Sequence, residues 1–246
     1  MNVLFVGDIV GPPAVEWLAE RLPGLRAEHD VDLVIVDAEN CAPNCEGMTV
    51  ALVERLLDAG TDVVTAGNHA FDGDEVEAVL ALDRVLRPHN AVDGAPGRGV
   101  ITVGGVRVVV LADRLAMDGH ISEDPYAAWE ALPPGPTTIV EIHALSVMAK
   151  QSLAYAIDGQ AAAVLGTHTH EPTSELHLLP GGTAHVTEVG MTGPLGGPQG
   201  LQPQPVVDRV RGVDPPAPLR PADGEIVLGA ILLDLRDGLT RSLRRL

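Results

Sequence analysis

Residues 3–8 read Val-Leu-Phe-Val-Gly-Asp, a short apolar run that ends in glycine and aspartate. Short apolar runs rich in β-branched residues are typical of buried strands, and glycine or polar residues mark their ends. An apolar run also precedes three further polar clusters, which are Glu39-Asn40, Gly67-Asn68-His69 and Gly166-Thr167-His168-Thr169-His170. The recurring pattern predicts buried strands that each end in chemically active side chains.

Strand-like and helix-like segments alternate along the chain. The predicted strands are Val3–Val6, Leu33–Val36, Asp62–Ala66, Ile139–Ile142 and Ala161–Leu165. The segments with helical periodicity are Ala14–Glu28, Thr49–Ala59, Asp74–Leu82 and Val147–Ile157, with Thr49 and Asp74 as candidate N-terminal caps. This alternation predicts a mostly parallel sheet covered by helices on both faces.

Further segments extend this α/β pattern. Val100–Val103 and Val106–Leu111, joined by two glycines, predict a hairpin, so the sheet is mixed or doubled. The last strand is predicted at Ile226–Asp234. Residues 193–224 are dense in Gly, Pro and Gln without a sustained period, which predicts an irregular surface loop, with a lid or a subunit contact as the alternatives. A length of 246 residues predicts a single domain over residues 1–246.

The charge of the chain limits the classes of binding partner. Its 34 acidic and 16 basic residues give a formal net charge of −18. Such a field repels polyanions and leaves few Lys or Arg side chains for phosphate contacts, so no long nucleic-acid groove is expected. A compact anionic substrate is compatible with this charge, because a metal centre attracts a phosphate locally.

The sequence predicts a cytoplasmic protein without a membrane span. Its first residues lack a basic n-region, and their apolar stretch is shorter than that of a signal peptide. No apolar run approaches the roughly 18 residues that a membrane helix needs. The only cysteines, Cys41 and Cys45, have a C-x3-C spacing without a second pair, which indicates ordinary reduced thiols.

The polar clusters predict a pair of metal ions, because parallel sheets bind ligands beyond the carboxyl ends of their strands. The side chains that supply carboxylate, amide and imidazole ligands are Asp8, Glu39, Asn68, His168 and His170. His143 follows the strand Ile139–Ile142 at the same end of the sheet and completes the set.

This ligand set suits metal-assisted hydrolysis of a phosphodiester. Two divalent ions carry four positive charges, and Asp8, Glu39 and a bridging hydroxide neutralise three of them. The remaining single positive charge matches the single negative charge of a phosphodiester. Metal ions allow that hydroxide, the expected nucleophile, to form near neutral pH. His69 lies beside Asn68 and is the expected general acid, because histidine donates protons near neutral pH. Asp37 and Asp72 lie beside the ligand motifs and either orient histidines or have solvent-facing or capping roles.

Together these residues resemble the calcineurin-like metallophosphoesterases and, within them, the YmdB-like branch. The resemblance covers nearly the whole chain and implies a four-layer α/β/β/α sandwich of two mixed sheets. The matching stretches are residues 4–11 (Leu-Phe-Val-Gly-Asp-Ile-Val-Gly), 39–40 (Glu-Asn), 67–72 (Gly-Asn-His-Ala-Phe-Asp), 164–170 (Val-Leu-Gly-Thr-His-Thr-His) and 189–194 (Val-Gly-Met-Thr-Gly-Pro).

The resemblance also implies roles for individual residues. The first metal would be held by Asp8, Glu39, Asn40 and His170. Glu39 would bridge to a second metal held by Asn68, His143 and His168, and His69 would be the proton donor. Iron or manganese would be the metals, with zinc also accepted by such ligands. The implied substrates are small phosphodiesters, 2′,3′-cyclic nucleotide monophosphates in particular, and the implied assembly is a homo-oligomer.

The chain departs from its relatives' patterns at three places. The wider superfamily has Asp-x-His in its first motif and Asp in its second, whereas this chain has Asp8-Ile9-Val10 and Glu39, which is similar to the YmdB-like branch. The third departure surrounds His143. The branch usually has Asp-x-His followed by Gly-Glu-Ala-Thr-Ser-Glu-Lys, whereas residues 141–150 here read Glu-Ile-His-Ala-Leu-Ser-Val-Met-Ala-Lys. The ligand is kept while its surroundings differ, which bears on substrate preference.

Two alternative functions use the same residues. One is a phosphomonoesterase on the same scaffold. The other is a regulatory protein that binds metal and nucleotide with little turnover. His69 argues against the second alternative, because binding alone needs no proton donor.

Overall fold

The computed structural model describes residues 1–116, 119–121, 123–214 and 217–246. In these ranges the strands are β1 (Asn2–Val6), β2 (Val31–Asp37), β3 (Val63–Thr65), β4 (Val85–Leu86), β5 (Val100–Val103), β6 (Val106–Ala112), β7 (Thr138–His143), β8 (Ala163–Thr167), β9 (His177–Leu178), β10 (Ala184–Val186), β11 (Gly193–Pro194), β12 (Ile226–Val227), β13 (Ala230–Arg236) and β14 (Leu239–Arg245). The α-helices are α1 (Gly11–Glu28), α2 (Val50–Asp58), α3 (Val76–Leu80), α4 (Pro125–Glu130), α5 (Val147–Ala156) and α6 (Pro203–Val210).

The strands form two six-stranded mixed sheets and one small ribbon. The first sheet has the order β14-β13-β1-β2-β3-β4, and the second has the order β5-β6-β7-β8-β10-β9. In both sheets the central pairs are parallel, as in β1 with β2 and β7 with β8. Antiparallel pairs lie toward one edge of the first sheet and at both edges of the second. The ribbon pairs β11 with β12.

The two sheets pack face to face between two layers of helices. Along β1, Leu4 and Val6 belong to the core beneath α1, α2 and α3, whereas Val3 and Phe5 belong to the core between the sheets. This alternation follows from the two-residue period of a strand. Helices α4 and α5 pack on the outer face of the second sheet. The predicted α/β/β/α sandwich of two mixed sheets is therefore confirmed.

Most elements predicted from the sequence are present, including all five buried strands and the hairpin β5–β6. Thr49 caps α2, and its hydroxyl accepts the N–H of Leu52 at 3.4 Å. The helix predicted at Asp74–Leu82 is shorter in the structure, where α3 spans about one turn at Val76–Leu80. The predicted capping role of Asp74 is wrong, because Glu75 is the N-cap residue. Helix α4 was not predicted, although Asp124 caps it and a proline occupies its first turn.

The end of the chain differs most from the prediction. The strand predicted at Ile226–Asp234 is divided into β12 and β13. The division lies at Gly229, whose backbone groups form hydrogen bonds outside the two strand ladders. Its N–H donates to Thr192 Oγ1 at 3.2 Å, and its carbonyl accepts the N–H of Gly7 at 2.9 Å. Strand β14 was not predicted, and its exposed polar side chains are those of an edge strand.

The predicted surface loop at 193–224 has regular parts. It contains β11, a 3₁₀ turn at Pro198–Gly200 and the helix α6, so the absence of a periodic element was wrongly predicted. Only Pro205 of α6 is buried, which explains the weak sequence signal of this helix. Residues 215 and 216 of the predicted loop lie outside the described residues.

Among the residues that the structure describes, none of the helices combines the length and the apolar character needed to cross a membrane.

The close approach of two chain segments at Gly7 gives a stability prediction. A Cβ atom at Gly7 would lie 2.2 Å from the carbonyl oxygen of Gly190, whereas a Cβ atom at Gly24 in α1 would have no neighbour within 4 Å. We expect Gly7→Ala to lower the free energy of unfolding by about 1–3 kcal/mol through overpacking. The control Gly24→Ala should raise it by up to about 1 kcal/mol through helix propensity. Urea unfolding of the metal-free variants measures both, and equal stability of the two would contradict the packing argument.

Candidate metal centre

The predicted ligands meet where the carboxyl ends of both sheets come together. Asp8, Glu39 and Asn68 follow β1, β2 and β3 of the first sheet, whereas His143 ends β7 and His168 follows β8 of the second. Nitrogen or carboxylate atoms of Glu39, His143 and His168 lie within 4.8 Å of one another, as do those of Asp8, Asp37 and His143. These two clusters overlap at His143, and the centre is therefore shared between the sheets.

One group of ligands surrounds Nε2 of His143. This atom lies 2.8 Å from Asn68 Oδ1, 3.0 Å from His168 Nδ1 and 3.3 Å from Glu39 Oε1. A ring nitrogen has one proton at most, so it cannot satisfy all these neighbours by hydrogen bonding. Four atoms that can each offer a lone pair are the donor set of a transition metal. These side chains fit the second metal that the sequence predicts.

The other ring nitrogen of His143 is fixed by a chain of hydrogen bonds. The hydroxyl of Thr167 donates to Glu141 Oε1 at 2.9 Å, and its oxygen lies 3.0 Å from His143 Nδ1. Because the hydroxyl proton goes to Glu141, its oxygen accepts the Nδ1–H of His143. This arrangement leaves the lone pair on Nε2, as a metal ligand requires.

The second group contains Asp8, Asn40 and His170. The Nδ1–H of His170 donates to the carbonyl of Gln199 at 3.0 Å, which leaves Nε2 3.7 Å from Asp8 Oδ1. Asn40 donates its amide N–H to the carbonyl of Cys45 at 2.9 Å. Asp8 Oδ2 and Asn40 Oδ1 are buried and accept no hydrogen bond from any residue that the structure describes. Buried acceptors without a donor are costly, and a cation would satisfy both.

Glu39 lies between the two groups. Its Oε2 accepts the backbone N–H groups of Gly67 at 2.5 Å and His69 at 3.2 Å, and its Oε1 lies beside His143. Burial, followed by the charge of Asp8, raises the pKa of Glu39 well above its ordinary value. A carboxylate in this position fits the predicted bridge between two ions, whose positive charge would favour its ionised form.

Burial keeps the imidazoles of His143 and His168 neutral. Burial lowers the pKa of His143 well below its ordinary value. Burial, followed by the charge of Lys150, lowers the pKa of His168 to about 4. Neutral imidazole is the form that binds metal, so at neutral pH these rings need not lose a proton from the binding nitrogen first.

The loop after β8 holds the predicted ligands His168 and His170 in an unusual backbone conformation. His168 and His170 have backbone φ angles of 95° and 65°. Residues other than glycine rarely adopt positive φ angles. Between them, Thr169 donates its N–H at 3.1 Å and its hydroxyl at 2.6 Å to Glu188 Oε2. Lys150 donates to the same oxygen at 2.5 Å, and both side chains of this ion pair are buried. The buried Lys150–Glu188 ion pair therefore stabilises the conformation of the loop through Thr169.

The predicted general acid lies at the edge of the centre. Nδ1 of His69 is 2.6 Å from Asp72 Oδ2, so Asp72 orients this histidine, which was one of two roles that its sequence position left open. The side chain of His69 is 22% exposed and lines an open cleft of about 330 Å³. Glu39, Asn40, His168 and His170 line the same cleft, so a bound molecule would reach both His69 and the ligands.

Sequence analysis did not identify several supporting residues. Glu141 carried a signal, because it shares a strand face with His143 two residues later. Thr167 lay within a quoted motif without a predicted role. Glu188, Lys150 and Gln199 carried no local signal, because their partners are distant in the sequence.

The comparisons with known proteins agree with this geometry. The family model described as "YmdB-like protein" matches residues 4–246. The chain is 32% identical over 246 residues to the 2′,3′-cyclic-nucleotide 2′-phosphodiesterase of Bacillus subtilis, covering 96% of this chain and 92% of that protein.

Two solved structures are similar over the whole chain. A hypothetical protein from Thermus thermophilus is 36% identical, with a TM-score of 0.90, and the alignment covers 100% of this chain and 98% of that one. A novel phosphatase of Mycoplasma pneumoniae has a TM-score of 0.90 at 24% identity, with 100% and 92% coverage, and shares the fold.

The hydrogen-bond chain behind His143 gives a prediction about metal affinity. We expect Thr167→Val to weaken binding of the second Mn²⁺ by about 10- to 100-fold, because His143 loses the partner that fixes its tautomer. Thr61→Val is the matched control, since its buried hydroxyl has no hydrogen-bond partner among the described residues. Calorimetric titration of the metal-free proteins with Mn²⁺ measures the effect. Unchanged binding in Thr167→Val would show that the hydroxyl does not orient the ligand.

Proposed function

Because this chain belongs to the YmdB-like protein family, we propose that it is a dinuclear metal-dependent phosphodiesterase that hydrolyses small phosphodiesters. The single observation that carries the proposal is the convergence of Asn68, Glu39 and His168 on Nε2 of His143. The name of the Bacillus subtilis relative supports 2′,3′-cyclic nucleotide monophosphates as the substrates.

The residues divide into two ligand sets that share Glu39. Asp8, Asn40 and His170 would complete the first set, and Asn68, His143 and His168 would complete the second. Iron or manganese is proposed, and zinc also suits mixed oxygen and nitrogen ligands. When bound, two divalent ions supply charge for the phosphate oxygens and lower the pKa of a coordinated water. The buried acceptors Asp8 Oδ2 and Asn40 Oδ1 support this division.

The chain itself supplies the proton for the leaving group. Cleavage of a P–O bond in a ribose diester releases an alkoxide, which is a poor leaving group unless it is protonated. Asp72 accepts from Nδ1 of His69, so Nε2 is the nitrogen available to a molecule in the cleft. His69 would donate its proton there as the bond breaks.

A homo-oligomeric assembly and a cytoplasmic location remain predictions from the sequence.

Metal content and turnover test the proposal together. We expect about two metal ions per chain by elemental analysis, with hydrolysis of bis-p-nitrophenyl phosphate and of a 2′,3′-cyclic nucleotide in the presence of Mn²⁺. Faster turnover of p-nitrophenyl phosphate than of either diester would indicate a phosphomonoesterase. Bound metal without turnover would indicate a binding protein, and absence of metal would refute the proposed centre.

The role of His69 gives a separate prediction. His69→Ala should keep both metal ions, because the side chain is in neither ligand set, and should lower kcat for a 2′,3′-cyclic nucleotide by about 10²- to 10⁴-fold. The loss should be smaller for bis-p-nitrophenyl phosphate, whose leaving group needs no proton. His177→Ala, which changes a histidine that is 40% exposed and does not line the cleft, is the control. Full activity of His69→Ala on the cyclic nucleotide would overturn the assignment.

A further inference from the structure

The cleft at the metal centre also has aliphatic lining residues. They are Leu145, Leu201, Val206, Val210 and Leu219. Leu145 and Val210 are 54% and 84% exposed, although exposing a large apolar side chain has no benefit to folding. Leu145 belongs to the segment after His143 whose sequence departs from the family pattern. These five residues line the same cleft as the predicted ligands, and we call them the aliphatic wall.

Arg209 of α6 lines the same cleft, and two nitrogens of its planar guanidinium contact a carboxylate. Its Nη1 lies 2.7 Å from Glu46 Oε1 and its Nη2 lies 3.4 Å from Glu46 Oε2. This two-armed contact joins α6 to the loop after β2 across 163 residues of sequence. Because Glu46 neutralises the guanidinium charge, Arg209 attracts a phosphate weakly. Its planar face, unlike its edge, has no bond to Glu46.

Apart from the three histidines assigned above to metal binding and proton donation, the described residues that line the cleft include no aromatic side chain. Proteins often bind nucleobases by stacking them on aromatic rings, and an arginine guanidinium plane serves the same purpose. A plane fixed by an ion pair loses less freedom when a base stacks on it. In this cleft, Arg209 therefore offers the surface on which a flat ring can stack.

We propose, resting on the proposed phosphodiesterase function, that the aliphatic wall and Arg209 bind the nucleobase of a ribonucleotide substrate. The base stacks on the guanidinium of Arg209, with Leu145 and Val210 against its edges, while the phosphate lies at the metal centre. A cleft of about 330 Å³ lies at the lower end of the range for small-ligand sites. Aliphatic side chains make no hydrogen bonds, so the wall accepts purines and pyrimidines alike.

The test compares two substrates that share a five-membered cyclic phosphate. One is 2′,3′-cyclic AMP, and the other is glycerol 1,2-cyclic phosphate, which lacks the base. We expect Arg209→Lys, which keeps the charge and loses the plane, to raise KM for 2′,3′-cyclic AMP about tenfold with kcat unchanged. The glycerol compound should be hydrolysed by this variant with unchanged kinetic constants.

A second pair of variants tests the wall on the same helix. Val210→Ser should raise KM for 2′,3′-cyclic AMP by about threefold through lost apolar contact. Val207→Ser is the matched control, because Val207 is 43% exposed on α6 and does not line the cleft. Both changes are at exposed positions, so the helix is retained.

Calorimetric binding of 3′-AMP to the Mn²⁺-loaded protein separates this inference from the proposed function. If no diester is hydrolysed, the proposed phosphodiesterase function fails. The base site would still be supported if 3′-AMP binds more tightly than glycerol phosphate and Arg209→Lys removes this difference in affinity. An equal loss for both substrates in Arg209→Lys would mean that Arg209 contacts the phosphate, which overturns the inference. Unchanged KM and unchanged binding in Arg209→Lys and Val210→Ser would overturn it as well.

Discussion

Buried negative charge at the junction of the two sheets is the constraint on which the rest of the structure depends. The carboxyl groups of Asp8, Asp37, Glu39 and Glu141 are buried there, and burial raises the pKa of each. Charge in such a place costs several kcal/mol per group unless a counter-charge is present. The donor atoms around His143 cannot all be satisfied by protons. This end of the fold therefore has the chemistry of a site that cations complete.

The backbone around the centre shows how the fold supports that arrangement. The positive φ angles of His168 and His170 are conformations that cost about 1–3 kcal/mol each. Glu188 offsets this cost from one side by accepting two bonds from the intervening threonine, and Lys150 holds Glu188 in place. Gln199 fixes His170 from the other side. The Gly- and Pro-rich segment after residue 193 thus contributes to the centre as well as to the surface.

The sequence predicted the features that depend on local pattern. A buried parallel strand is an apolar run, and the residue that follows it lies at the carboxyl edge. The positions of the proposed ligands at that edge could therefore be predicted from the sequence. Edge strand β14 could not be found in this way, because its side chains are half polar, although Asp237-Gly238 before it is a hairpin turn signal with both φ angles positive. Lys150 and Glu188 could not be paired from sequence, because 38 residues separate them.

The departure after His143 shows why ligands and cleft wall can change independently. His143 is the last residue of β7, and its position is fixed by a strand that is buried along its whole length. Leu145 lies two residues beyond, is half exposed and belongs to none of the core clusters of described residues. A substitution there costs little stability, because little apolar area is removed from water at that position. Helix α6 is similar, with Pro205 as its buried residue. Burial therefore constrains the proposed ligands, whereas the exposed positions of the aliphatic wall, Leu145 and Val210, can change at little cost in stability.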